Sequence, residues 1–263
     1  MSILCKEKIV RIDQSEFDKL NYDIMKYSFE LHNQLGCFGK EIVYKKELAN
    51  ICNSNGLEVK TEVPITVALN EFSKTYYIDA LINDSVILEL KATSGIAKQD
   101  RVQAINYLLL TNLKHGKIIN FGSSSVEDEF VSTKLSFNDR RVEVFDVTNS
   151  TNLVAEVVEI VKSIIDDWGM FLSLDLYKEA IFFFLGSKKQ LLRNVDIIIN
   201  KQVIAQQKMC LLNNETAIHI SCIKKDFDYY RKHIYKLIKH TNLSQAVWIN
   251  FNNKKVLIET IKK

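Results

Sequence analysis

The chain has 263 residues, 47% hydrophobic and 25% charged, with a formal net charge of +3. That is enough apolar material for one large or two small cores, and too near neutrality for composition alone to declare a nucleic-acid binder. Charges within the first ten residues argue against a signal peptide, and no apolar run approaches the roughly 18 residues of a membrane span. The five cysteines, Cys5, Cys37, Cys52, Cys210 and Cys222, lack C-x-x-C spacing; they read as free or buried thiols of a reducing compartment, with the cytoplasm as the expected location.

Residues 9–12 read as a short strand, and residues 16–35 as a helix whose apolar side is Phe17, Leu20, Ile24 and Leu31. Residues 39–52 form a second helix, carrying Glu41 and Tyr44 one turn apart. A strand follows over 57–69; it contains the sole proline, Pro64, which suits an edge or a bulge. Residues 76–82 and 86–92 then flank Asn83-Asp84-Ser85, a hairpin signal. A turn centred on Asp84 sets Asp79 opposite Glu89 and Tyr77 opposite Lys91, and alternation puts Lys91 on the face of Glu89. After a loop at 93–96, residues 97–112 read as a helix with Val102, Ile105, Leu108 and Leu109 on one side. Gln103 and Tyr107, four apart, share a face of it. A strand at 117–121 and a polar break at 122–128 complete this half.

Charged residues on a largely apolar sheet face need a reason. Two carboxylates at cross-strand separation suit a hard divalent cation, which acidifies a bound water and stabilises phosphoryl charge. A neighbouring lysine can orient that water or stabilise the transition state. The hairpin alone leaves another reading open: a surface ribbon with Glu89 and Lys91 solvated and Asp79 paired to Lys91.

The series Asp79, Glu89-Leu90-Lys91, Gln103-x-x-x-Tyr107 resembles the PD-(D/E)xK nuclease superfamily. The segments LGCFGKEIVY (35–44) and KIINFG (117–122) narrow the resemblance to the family called GxxExxY proteins. It covers residues 23–126 in the order α-β-β-β-α-β. One departure is that Phe38 stands where the family has glycine, with Gly39 one position late. The resemblance implies a mixed sheet flanked by helices, the restriction-endonuclease-like α/β fold, and a Mg²⁺- or Mn²⁺-dependent nuclease acting on DNA. Asp79 and Glu89 would hold metal with the Leu90 backbone carbonyl, Glu41 adding a carboxylate. Lys91 would orient or activate water, and Gln103 and Tyr107 would brace the site or approach the substrate.

The second half repeats the first. At a constant offset of 130, Asn83 falls on Asn213, Arg101 on Arg231, Thr111-Asn112-Leu113 on Thr241-Asn242-Leu243 and Ile119-Asn120-Phe121 on Ile249-Asn250-Phe251. Upstream the offset drifts, Lys40-Glu41 matching Lys178-Glu179 and the segment at Lys8 matching that at Arg141. A tandem duplication follows, with domains at 1–131 and 132–263 and the second copy degenerate: Asp79 becomes Met209, Glu89 His219, Lys91 Ser221 and Gln103 His233. Residues 1–130 carry 15 Lys and Arg against 18 Asp and Glu, the remainder 20 against 14. A basic second half suits a phosphate-binding clamp. Lys224, Lys225, Arg231, Lys232, Lys236 and Lys239 lie on or near a helix over 226–241, with Tyr229, Tyr230 and Tyr235 among them. That pattern suits nucleic acid, and equally a solvated helix. Against the nuclease stand a non-catalytic nucleic-acid- or protein-binding module on the same scaffold, and an intramolecular pseudo-dimer in which the second copy replaces a subunit.

Overall fold

A computed structural model of the chain describes residues 2–148 and 152–263. It divides into two compact units, Met1–Asp139 and Arg140–Lys263. No helix among the described residues is long and apolar enough to cross a membrane, and the five cysteines are free.

The first unit runs β1 (Ile3–Cys5), α1 (Gln14–Leu35), α2 (Glu41–Ser54), β2 (Val59–Leu69), β3 (Phe72–Ile82), β4 (Val86–Lys91), α3 (Lys98–Thr111), β5 (His115–Asn120) and β6 (Glu127–Ser132). Its six strands lie in sequence order in one sheet, with β4 and β5 parallel and the other pairs antiparallel. α1 starts at a capping box: Asp13 Oδ1 accepts from the Glu16 N–H at 2.9 Å, and Glu16 accepts from the Asp13 N–H at 3.1 Å. Phe17, Ile24 and Leu31 of α1, with Tyr44, Leu48 and Cys52 of α2, pack on Leu88, Leu90, Ile119 and Phe121 of the sheet. α3 covers the opposite face, so closely that a β-carbon at Gly116 would stand 3.3 Å from Leu108.

The hairpin register is the expected one, with Ala80 paired to Leu88, Leu81 to Ile87 and Ile82 to Val86. Asn83 and Asp84 take left-handed backbone at the turn. β1 pairs only with Ile65, Thr66 and Val67, so at Pro64 the missing N–H faces no partner strand on that side.

Three expectations are corrected. Residues 9–12 form no strand; they are tied by bonds from the Val10 N–H to the Asp84 carbonyl and from Arg11 Nε to the Asn112 carbonyl, and the N-terminal strand is Ile3–Cys5. Val102 and Ile105 are exposed, because α3 buries Ala104, Tyr107, Leu108 and Thr111 instead. The polar break ends early, at Glu127, where β6 begins; the acids of β6 are matched by Arg101 on Glu129 (2.6 Å) and Lys117 on Asp128 (2.5 Å).

The second unit runs β7 (Val144–Thr148), α4 (Asn152–Trp168), α5 (Leu174–Phe184), a single turn α6 (Lys188–Leu191), β8 (Leu192–Ile199), β9 (Gln202–Cys210), β10 (Thr216–Ser221), α7 (Phe227–Lys239), β11 (Gln245–Asn252) and β12 (Lys255–Lys262). Strands β10-β11-β12-β7 form one sheet, and β8-β9 a separate hairpin.

The offset of 130 recurs in its pairings. Ile87 pairs Gly116 and Ala217 pairs Ala246; Asn120 pairs Glu127 and Asn250 pairs Leu257. The side-chain links recur too. Asn120 bonds both backbone groups of Thr93, as Asn250 does those of Ile223. Arg101 grips Glu129, and Arg231 grips Glu259.

Upstream, the structure differs from the sequence match. Tyr44 stacks on Phe121 (4.6 Å) and donates to the Gly36 carbonyl; Tyr177 stacks on Phe251 (4.7 Å) and donates to the Gly169 carbonyl. Tyr44 and Tyr177, 133 residues apart, thus make like contacts, an offset that does not set Lys40-Glu41 against Lys178-Glu179. Nor does β7, which adds to the far edge beside β12, correspond to any strand at residues 11–15.

Candidate active site

The β3–β4 ladder is three pairs long; beyond Ala80 and Leu88, β3 pairs only with β2, and β4 only with β5. The charged residues gather at this parting. Asp79, the next residue of β3, turns Oδ2 to accept from the Leu90 N–H at 2.8 Å. Its Oδ1 takes an ion pair from Lys45 of α2 at 2.5 Å. On β4, Glu89 is 1% exposed; its Oε1 accepts from Lys91, while its Oε2 is buried with no hydrogen-bond partner among the described residues. Asp79, Glu89 and Lys91 thus lie within electrostatic reach of one another, although the direct Asp79–Glu89 pairing expected from the turn is not formed, the ladder ending at Ala80 and Leu88. Tyr77 does not complete the expected pair with Lys91: the β3–β4 ladder does not reach it, its partner being Pro64 of β2, and it is exposed.

Burial, then the charge of Asp79, pushes the Glu89 carboxyl up to about 7 against the pull of Lys91. Burial lowers Lys91, but its bond to Glu89 and the charges of Glu89, Asp79 and Glu41 together outweigh burial, so it stands above its ordinary value as a firm ammonium. Glu41 opens α2 and belongs to the same field: burial raises its pKa, Lys91 opposes this and Asp79 adds to it. On α3, Gln103 donates to the Tyr107 hydroxyl at 2.9 Å, and Tyr107 rests edge-on against Tyr76. Burial, outweighing that bond, pushes Tyr107 up to about 12, with Glu89 and Asp79 adding to the rise. Leu90 enters through its N–H, which holds Asp79, rather than visibly through its carbonyl.

Sequence reasoning missed Lys45 and Glu62. Lys45 ion-pairs Glu62 Oε1 at 2.5 Å as well as Asp79. A signal existed for the lysine, which extends the buried stripe of Leu48 and Cys52 one turn toward the start of α2. None existed for Glu62, which enters because its backbone is left-handed (φ 52°) within β2. The displaced glycine also has a physical reason. The Gly39 N–H donates to the Tyr44 hydroxyl at 2.9 Å, and a β-carbon there would stand 2.9 Å from the Tyr44 ring.

In the second unit the positions 130 residues on, Met209, His219, Ser221 and His233, carry no carboxylate or ammonium. Ser221 donates to Asn250 at 2.7 Å and accepts from the Trp248 indole at 2.8 Å. His219 bonds the Tyr230 hydroxyl at 2.8 Å, and Tyr230 lies against Trp248. His233 packs on Tyr229. Of the candidate basic residues, Lys224, Lys225, Lys232 and Lys236 are exposed. Arg231 is not available, being bound by Glu259 and Asp228.

Among the described residues, no three His, Cys, Asp or Glu side chains are grouped to hold a metal ion. The donor chemistry at the parting nevertheless fits a hard cation: two carboxylates, one with an orphaned buried oxygen, and their other partners two ammonium groups that already fill cation positions.

No curated protein matches the chain. The solved structure described as "Crystal structure of SSO0001" is 12% identical, with a TM-score of 0.31 over 51% of this chain and 71% of that one, a likeness too slight to carry an argument. The family model of the PD-(D/E)XK nuclease superfamily matches residues 18–132, within the first unit and spanning every charged residue of the parting. Residues 18–132 are a domain of the PD-(D/E)XK nuclease superfamily.

Proposed function

We propose that the first unit is a Mg²⁺- or Mn²⁺-dependent nuclease of the GxxExxY type, hydrolysing phosphodiester bonds of DNA. The observation that carries this reading is the buried, half-satisfied Glu89 facing Asp79 beside a charged Lys91. A divalent cation held by Asp79 and Glu89, with the Leu90 carbonyl, would supply Lewis-acid stabilisation and an acidified water. Lys91 stays protonated, so it orients the attacking water and stabilises phosphoryl charge rather than acting as the base. Glu41 adds negative charge from the start of α2, and Gln103 fixes the Tyr107 hydroxyl behind the carboxylates.

The second unit is read as a degenerate copy of the first, on the strength of pairings and side-chain links that repeat at one offset. Trp248 and Tyr230 fill the ground that charges hold in the first unit. Its exposed Lys224, Lys225, Lys232 and Lys236 would contact the DNA backbone.

The test is cleavage of DNA and RNA with Mg²⁺ or Mn²⁺ by wild type, Asp79→Asn and Lys91→Ala. Metal-dependent cleavage of DNA lost in both variants is expected. Activity that persists in both rejects the mechanism, and salt-dependent DNA binding without turnover under either metal replaces it with a binding module.

A further inference from the structure

One cation in the first unit has no place in the mechanism above. Lys45 is 6% exposed, and its ammonium is shared, at 2.5 Å each, between Asp79 Oδ1 and Glu62 Oε1. The two acids differ. Asp79 is buried and its other oxygen is fixed by the Leu90 N–H, whereas the Glu62 side chain is 53% exposed. Glu62 is also the odd residue of its strand. The ladder with β3 pairs Thr61 with Ala80 and Val63 with Ile78, and between them Glu62 adopts φ 52°, a region that residues with a β-carbon enter only when their surroundings impose it. A lysine needed only to neutralise Asp79 would not require a second acid held in an unfavourable backbone. The arrangement makes sense if the second acid is somewhere for the lysine to go.

We propose that Lys45 is an internal counter-ion that holds Asp79 while no metal is present, and that it withdraws onto Glu62 alone when a divalent cation takes Asp79 Oδ1. This rests on the nuclease reading of the site and adds two positioning residues to it. Only one of the two existing contacts of Lys45 has to break. Leu90 keeps Asp79 aimed throughout, and no charge is left bare in either state. Lys45 therefore competes with the cation, and Glu62 relieves the competition only through Lys45.

The experiment is calorimetric titration of Mn²⁺ into the full-length protein at fixed pH and salt. The proteins are wild type, Lys45→Met, Glu62→Gln, the double variant and Asp79→Asn, each checked for folding by near-ultraviolet circular dichroism. Lys45→Met should tighten Mn²⁺ binding several-fold, and Glu62→Gln should weaken it several-fold. In the Lys45→Met background, Glu62→Gln should change nothing, because its intermediary is gone. Effects that simply add would show two charges acting through space and overturn the relay, as would weakening in both single variants. Should Lys45→Met not fold, Lys45→Gln takes its place; if neither folds, unchanged affinity in Glu62→Gln overturns the proposal and a several-fold loss supports it. Wild type that binds no Mn²⁺, or binds it undiminished after Asp79→Asn, defeats the metal reading and this inference together. Asp79-dependent binding with additive effects defeats this inference alone.

Discussion

Removing the charge of Glu89 should change how the first unit responds to pH more than how stable it is at any one pH. In the folded protein this carboxyl is raised from an ordinary 4.5 to about 7, burial being the largest cause. Between those values the folded chain keeps a proton that the unfolded chain has lost, so stability falls as pH rises through the window and stays low above it. Each unit is worth about 1.4 kcal/mol, so the whole effect is about 3 kcal/mol. Glu89→Gln removes that titration. Lys91 is charged throughout the window, and its attraction to the Glu89 carboxylate is already contained in that raised pKa, so the variant brings no titration of its own there. Relative to wild type, the variant should therefore gain about 3 kcal/mol between about pH 4 and about pH 8, in chelator and without metal. The assay needs a probe inside the first unit, since Trp168 and Trp248, the two tryptophans, both lie in the second. Cys52, fully buried in the α1–α2 core, serves: urea unfolding is followed by reaction of its thiol with a disulfide reagent active at both pH values. A difference between variant and wild type that is constant with pH, or that moves against the variant as pH rises, refutes the reasoning.

Three further outcomes are expected. Asp79→Ala should cost about 1–3 kcal/mol more in urea unfolding than Asp79→Asn, since only the latter keeps an acceptor for the buried Leu90 N–H, while both should abolish cleavage. Gly39→Ala should destabilise by about 1–3 kcal/mol in the same assay, because the new carbon meets a Tyr44 ring pinned by Phe121. With the non-cleaving Asp79→Asn protein in fluorescence anisotropy, Lys232→Ala and Lys236→Ala should each weaken DNA binding and lower the salt slope by about 1. Arg231→Ala should leave that slope unchanged and loosen the tie between α7 and β12 instead.

The hairpin register was legible because it depends on local arithmetic: a short turn sets which residues of the two strands face one another. The helices of the first unit were legible from the spacing of their apolar residues. What escaped depends on partners distant in the chain. Val102 and Ile105 have the spacing of a buried stripe, yet the side of α3 that is covered is decided by β4 and β5, which favour Tyr107 and Leu108. The acids of β6 disguise its alternation, and only Arg101 and Lys117, 28 and 11 residues earlier than their partners, make the strand affordable. Glu62 owes its place to a backbone conformation that no residue type at that position announces.

The short ladder between β3 and β4 has a mechanical consequence. Three rungs join β1-β2-β3 to β4-β5-β6, so the broad sheet is built as two three-stranded plates meeting at a narrow seam. Asp79 rides on one plate, Glu89 and Lys91 on the other, and Lys45 reaches the first plate from a helix seated on both. Asp79 bonded to the Leu90 N–H is a further tie across that seam, so a rotation there would alter the spacing of the acids only by straining the bond that aims one of them.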